Sequence, residues 1–277
     1  MKVAFQGELG AFSQQAIRQL LGSKAQPVPC PRFDQVFEAL ARRRVAAAVA
    51  PIENTLHGSV HENYDLLLKH DFTITAETSV RIVHNLIAAP ETQFRQVTKA
   101  YSHPVALNQC LDFFRRNKQI LSVPFYDTAG SVKMVMQTRM PGAAAIASQL
   151  AARIYRAKIL KREIEDDRRN YTRFFLLEPK GAPPRNPKGS RAKPWKTSLV
   201  FSTRNVPGAL FRALSALALR DLNLAKLESR PLRGRPWEYM FYLDLIGRQS
   251  DEAVRRALGH LGELADFLRV LGSYRSA

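Results

Sequence analysis

The chain predicts an α/β fold with mostly parallel sheets, followed by a smaller ferredoxin-like module. Three observations carry that prediction. Short apolar runs such as "KVAFQ", "AAAVAP" and "AAAIAS" alternate with segments of helical spacing before residue 178, and such alternation packs as α/β layers. A stretch rich in Pro, Gly and basic residues, Glu178 to Lys196, interrupts the periodicity and reads as a linker, a mobile tether between domains. After it the apolar pattern runs β-α-β-β-α-β, the ferredoxin-like order.

Element by element, "KVAFQ" is a strand leading through a glycine turn to a helix from about Ser13. "FDQVFEALARRR" carries helical spacing at Phe33, Val36, Phe37 and Leu40. "AAAVAP" is a buried strand ending at Pro51, and "SVHENYDLLLKH" a helix. The long β-rich run "FTITAETSVRIVHNLIAA" suits a passage from one lobe to another. Then come "KAYS" (strand), "PVALNQCLDFFRR" (helix), "LSVPFY" (strand), a helix from about Thr128, the strand "AAAIAS" and the helical "QLAARIY". "NYTRFFLL" is a strand buried on both faces, since its apolar run is continuous. With lobe crossings near residues 75–80 and 160–170, that strand lies where the lobes meet, a common place for ligands. Beyond the linker, "KTSLVFSTR", "LNLAKLESRP", "WEYMFYLDLIG" and "DFLRVLGSY" are strands. "VPGALFRALSALALRD", opened by Pro207, and "DEAVRRALGHLGEL" are helices.

The 277 residues allow two domains. No apolar run reaches the length of a membrane span, and the start lacks a signal peptide's apolar region. Cys30 and Cys110 stand far apart without metal-ligand spacing, so a cytoplasmic protein with reduced thiols is the expectation. The net charge of +18 is spread along the chain and densest in the Pro-rich segment. No basic element interleaved with aromatics stands out, so attraction for small anions is expected and nucleic acid is not.

Five segments, "GELGAFS" (Gly7–Ser13), "PIENTLHGSV" (Pro51–Val60), "YSHPVALNQC" (Tyr101–Cys110), "DTAGSV" (Asp127–Val132) and "NYTRF" (Asn170–Phe174), occur in order. Together they resemble the motif series of the prephenate dehydratase family. "NVPGALFRAL" (Asn205–Leu214) and "LESRP" (Leu227–Pro231) resemble the regulatory ACT domain often attached to it. The resemblance implies a bilobed, type II periplasmic-binding-protein-like catalytic domain over residues 1–177, a linker over 178–197 and an ACT domain over 198–277. The implied reaction converts prephenate to phenylpyruvate in phenylalanine biosynthesis, with arogenate as the alternative substrate. A non-catalytic small-molecule sensor on the same scaffold is the other class.

The reaction needs placement and a donor near the leaving hydroxyl, with no metal or redox cofactor. By resemblance Thr172 is the catalytic residue; read alone, it is a strand Thr chosen for β-propensity. Arg173 either clamps a carboxylate through its planar fork or pairs with Glu53 or Asp127. Phe174 belongs to the same substrate-binding motif. In "GELGAFS", Ser13 is placed to cap the following helix, whose first amides form a carboxylate cradle. Asn54 and Thr55 offer donors after a buried strand. Glu53 reads as helix-capping or ion-paired, and His57 as a solvated loop residue. Ser102 and His103 sit at a strand end before Pro104; the histidine shuttles protons or packs. Thr128 either donates to substrate or caps its helix.

For the C-terminal module the resemblance implies an effector site at Asn205, Pro207, Gly208, Ala209 and Leu210, with Glu228, Ser229, Arg230 and Pro231 at a strand end. Phenylalanine is the implied effector, held between paired modules of a homo-oligomer, a dimer or tetramer. A ferredoxin-like dimerisation module that binds nothing is the open alternative.

Overall fold

The computed structural model describes residues 1–187, 189–232 and 238–277. They divide into two compact units, one of residues 1–66 and 78–175, the other of residues 67–77 and 176–277. In chain order the first elements are β1 (Lys2–Gln6), α1 (Phe12–Leu21), β2 (Gln26–Cys30), α2 (Phe33–Ala41) and β3 (Ala47–Asn54). A two-residue strand β4 (Gly58–Ser59), α3 (His61–Lys69), β5 (Phe72–Arg81), β6 (Asn85–Ala88) and β7 (Lys99–Ser102) follow. Next come α4 (Pro104–Asn108), α5 (Leu111–Arg116), β8 (Leu121–Pro124), α6 (Thr128–Thr138), β9 (Ala143–Ala147), α7 (Gln149–Ile154), β10 (Lys158–Lys161) and β11 (Tyr171–Pro179). The remainder is β12 (Trp195–Ser202), α8 (Ala209–Ala218), β13 (Leu224–Pro231), β14 (Tyr239–Ile246), α9 (Glu252–Leu264) and β15 (Phe267–Arg275).

The first sheet runs β2-β1-β3-β11-β5, with β4 paired to β3. Its β1 pairs in parallel with both β2 and β3. Val3, Phe5 and Val49 are fully buried, as are Ala16 and Phe37 on the helices beside them. The second sheet runs β10-β6-β9-β7-β8 and is mixed: β7 is parallel to β8 and β9, while β6 is antiparallel to β9 and β10. Every residue of "AAAIA" in β9 is buried, because apolar clusters cover both faces of this strand. The chain leaves the first sheet after Arg81, enters the second at Asn85, and returns between Lys161 and Tyr171. The bilobed α/β arrangement implied by the motifs is thus present.

Two strands escape a pattern search. β2, "QPVPC", is an edge strand with Pro27 and Pro29, which donate no ladder hydrogen bond and mask its propensity. β10 is a four-residue edge with two lysines. Two expected helix starts move, and a third helix starts where expected with a different cap. α1 begins at Phe12 with Ala11 at its N-cap, so Ser13 does not cap it. α6 is capped by Asp127, whose carboxylate accepts the Gly130 N–H at 2.6 Å, and Thr128 is its first residue. α8 begins at Ala209 with Gly208 at its N-cap, so Pro207 lies outside the helix.

The third sheet runs β13-β14-β12-β15, antiparallel throughout, the order of a ferredoxin-like βαββαβ module. Leu199, Phe201, Leu243 and Leu245 form its core with Ala213 and Leu217 of α8 and Val254 and Leu261 of α9. β13 is an edge strand with alternating exposure. At its start, the Pro-rich stretch has side-chain partners in the second unit. The buried Glu178 carboxylate accepts from Thr75 Oγ1 at 2.7 Å and takes a fork from Arg185 at 2.7 and 3.0 Å. Lys180 pairs with Asp71 at 2.7 Å.

Candidate active site

A cavity of about 410 Å³ opens inside the first unit, lined by both of its lobes. β11 supplies Thr172 and Phe174, the end of β3 supplies Asn54, and the loop after it supplies His57. The crossing segment contributes Ile82 and His84, and the second lobe His103, Gln109, Asp127 and Thr128. Among the described residues lining it there is no Lys or Arg.

Thr172 is a polar side chain buried on β11, 9% exposed, and its Oγ1 accepts from Asn54 Nδ2 at 2.9 Å. The Asn54 amide is oriented by its surroundings. Its Oδ1 accepts the backbone N–H groups of Leu56 and His57 at 3.0 Å each, leaving Nδ2 as the only face that can meet Thr172. Nδ2 also donates to Asn170 Oδ1 at 2.7 Å and the Tyr171 carbonyl at 3.1 Å. A Thr oxygen that accepts from Asn54 keeps its own O–H proton for another acceptor.

Asn54, Thr128, Thr172 and Phe174 therefore share one cavity. Ser13, Thr55, Ser102 and Arg173 are not among its lining residues. Thr55 Oγ1 donates to the Arg169 carbonyl at 2.9 Å and accepts from Tyr171 N at 3.0 Å, fastening its loop to β11. Ser102 is fully buried and donates to the Ile146 carbonyl at 2.7 Å. Arg173 points along the other face of β11, with its guanidinium 4.7 Å over the Phe175 ring and 3.9 Å from Glu53. That is the ion-paired reading, and it gives Glu53 a partner too. Ser13 is buried in the first turn of α1.

The "GELGAFS" loop meets the second lobe at two points where a side chain would not fit. Gly7, at φ +108°, lies so close to Asp127 Oδ2 that a Cβ would stand 2.7 Å from it. Gly10, at φ +98°, would place a Cβ 2.6 Å from Ala151 Cα, and its carbonyl accepts from Ser148 Oγ at 2.6 Å. Burial pushes the Asp127 carboxyl up, with the nearby Glu8 charge adding to it and backbone donors opposing. The His103 ring accepts from Val105 N at 3.3 Å, and burial lowers its pKa against the pull of Asp127.

His84, Gln109 and His57 form a polar chain that motif reading missed. His84 Nε2 lies 2.8 Å from Gln109 Oε1, and Gln109 Nε2 lies 3.5 Å from His57 Nδ1. His57 is exposed in its loop, as expected, and also lines the cavity. Burial pushes the His84 pKa down, which keeps the ring neutral, and the Glu165 carboxylate accepts its backbone N–H at 3.0 Å. One signal was present: His84 interrupts the otherwise β-rich run "RIVHNLIAA". Gln109 gave no sign, since a helix-end glutamine is ordinarily solvated.

In the second unit a small cavity of about 110 Å³ is lined by Asn205, Ala209, Leu210, Tyr239 and Phe241 among others. Pro207 and Gly208 lie in the loop entering α8, and Glu228, Ser229, Arg230 and Pro231 lie on the edge strand β13; none of these lines it. Lys226 and Glu228 approach to 3.5 Å.

The family profile described as prephenate dehydratase matches residues 3–182, and that of the ACT domain matches residues 197–263. Arogenate dehydratase/prephenate dehydratase 2, chloroplastic, of Arabidopsis thaliana is 42% identical over 283 residues, covering 99% of this chain and 72% of that protein. Among solved structures, prephenate dehydratase from Arthrobacter aurescens in complex with L-Phe is 30% identical. It has a TM-score of 0.90, with 100% of this chain and 90% of that one covered. GqqA, described as a novel type of quorum quenching acylase, is 31% identical with a TM-score of 0.90, covering 100% of this chain and 98% of that one. With both profiles matched in order and a threonine of the "NYTRF" segment set in the wall of an interlobe cavity, the chain belongs to the prephenate dehydratase family and carries a C-terminal ACT domain.

Proposed function

We propose that the chain removes water and carbon dioxide together from prephenate, giving phenylpyruvate, under control of phenylalanine at the ACT domain. The observation that carries this reading is the Asn54–Thr172 hydrogen bond inside the cavity. Prephenate loses a ring hydroxyl and a carboxylate, and aromatisation drives both departures. Hydroxide is a poor leaving group, so a donor at that oxygen lowers the barrier. Thr172, with its oxygen already accepting from Asn54, offers its proton there. Asp127, held toward its protonated form by burial, is suited to carry the proton that leaves with the water.

The absence of Lys and Arg from the described lining fits the other half of the reaction. A carboxylate without a cationic partner in a partly desolvated site is less stabilised as an anion and departs more readily as carbon dioxide. The retained carboxylate is matched by the start of α1, which has no side-chain cap and whose first residue, Phe12, lines the cavity. No redox or metal chemistry is called for by these steps. Residues 1–177 form the catalytic domain in this reading, 178–197 the linker and 198–277 the ACT domain, consistent with the spans of the two profiles.

Phenylalanine as effector is supported by the L-Phe complex of the Arthrobacter relative. The cavity beside Asn205 and Leu210 is small for a ligand-burying site, which usually starts near about 300 Å³. A second ACT module supplying "LESRP" from its β13 edge would complete it, so the working form is a homo-oligomer, a dimer or tetramer. Unbridged Cys30 and Cys110 suit a cytoplasmic setting, and no described helix is long and apolar enough to cross a membrane.

Arogenate is the second reading, favoured by the name of the Arabidopsis relative. The test is to mix purified protein with prephenate or arogenate and follow phenylpyruvate and phenylalanine formation. Turnover of prephenate is expected. Faster turnover of arogenate would reassign the substrate within the same chemistry. No turnover of either, with release of an acyl group from an acylated substrate, would overturn the reading in favour of the GqqA likeness.

A further inference from the structure

The largest cavity described shares no lining residue with the cleft cavity, lies wholly within the second unit, and has a volume of about 970 Å³. That is the upper end of the range seen for small-molecule sites. Five cationic side chains from separate segments line it: Lys69 at the end of α3, Lys180 after β11, Arg248 after β14, Arg255 on α9 and Arg269 on β15. Asp71 is the one acidic residue among its described lining, and it is occupied by Lys180 at 2.7 Å. The neighbouring Asp251 carboxylate accepts the backbone N–H of Arg248 at 2.7 Å.

The other four cations make no salt bridge among the described residues, although the Arg269 charge also helps to lower the Asp71 pKa, behind Lys180. Arg248 is held by the Trp195 ring, with its guanidinium 4.5 Å from the centroid. Arg269 Nη2 donates to the Leu67 carbonyl, and its Nε is buried with no acceptor. Lys69 and Arg255 are exposed, with no side-chain partner described. Gathering like charges around one concavity raises the energy of the empty site, and an anion with several negative oxygens relieves it. Guanidinium forks and ammonium groups are the donors that phosphate oxygens take best.

We propose that this cavity is a binding site for a small phosphate-bearing polyanion, held by Lys69, Arg248, Arg255 and Arg269. The proposal is independent of the chemistry in the cleft, and its test separates the two. Diphosphate is titrated calorimetrically into the full chain at 150 mM salt (about 8 Å of screening length, which suppresses loose surface attraction). Saturable binding with one site per chain is expected. The double variant Lys69→Ala/Arg255→Ala, at exposed side chains with no described partner, is expected to weaken it at least about tenfold while prephenate turnover is unchanged. A nucleoside triphosphate binding more than about tenfold tighter than diphosphate identifies a nucleotide as the source; equal affinity identifies free phosphate anions. No saturable binding, or a double variant that binds as tightly as the unaltered chain, overturns the site.

Discussion

At the scale of single residues, the cleft turns on which atom of Asn54 meets Thr172. Two backbone N–H groups hold Asn54 Oδ1, so its amide donates to the threonine oxygen and frees the threonine proton. Replacing Asn54 by Asp keeps the acceptor for Leu56 and His57 but puts a second acceptor opposite Thr172, which then turns its proton away from the substrate. Asn54→Asp is expected to lower kcat about as far as Thr172→Val, on the order of a hundredfold, with KM changed little. The double variant should be no worse than either alone, because the two act as one unit. Steady-state kinetics checks this; additive losses would show separate roles. The motif "NYTRF" made Thr172 legible in the sequence. The direction of the hydrogen bond was not, because it depends on how Asn54, 118 residues away along the chain, is oriented by the Leu56 and His57 amides.

At the scale of elements, the "GELGAFS" loop is where the lobes touch. Two glycines read from sequence as a turn serve as close contacts to Asp127 and Ala151. Gly10→Ala strains a positive φ and drives a methyl group into the backbone of α7, so a loss of about 2–4 kcal/mol is expected. Thermal unfolding should show it, and kcat/KM should fall because the lobes are forced apart. An unchanged melting temperature would mean that the loop yields freely. Helices and central strands were legible because their apolar spacing is set by the faces they bury. The edge strands β2 and β10 were not, because an edge has little apolar surface to declare and their pairing is decided by neighbours distant in sequence. Helix caps were misjudged for a related reason. Asp127 wins the cap of α6 because its side chain reaches the Gly130 N–H, whereas Thr128 already has its backbone in the helix.

At the scale of the whole molecule, control by phenylalanine requires unequal binding to two states of the chain. If phenylalanine binds the ACT domain, calorimetry should show saturable heat, and turnover of prephenate should change over the same concentration range. Deleting the ACT module by ending the chain at residue 177 is a poor test, since residues 67–77 belong to the compact unit that contains it. Arg230→Ala on the β13 edge is better placed, and is expected to weaken phenylalanine binding with little effect on turnover in its absence. No heat and no change in rate would leave the module as an assembly element only. The net charge of +18, read from composition as a general attraction for anions, acquires a location in the cluster lining the large cavity of the second unit.

The alternation of helices and central strands was legible in the residues, since it rests on spacing within about ten positions, and the two domain types came from the motifs' resemblance to a family, which the profile matches bear out. Which polar side chains reach the cavity was decided only by the fold. Adjacent residues on a strand face opposite ways, so Thr172 lines the cleft while Arg173 pairs with Glu53 behind it. At the end of β7, Ser102 is sealed against Ile146 while His103 lines the cavity. His84 and Gln109 meet only because two segments 25 residues apart are folded against each other. Alternation can be counted along a chain, but which of its two faces is wet depends on what packs against it.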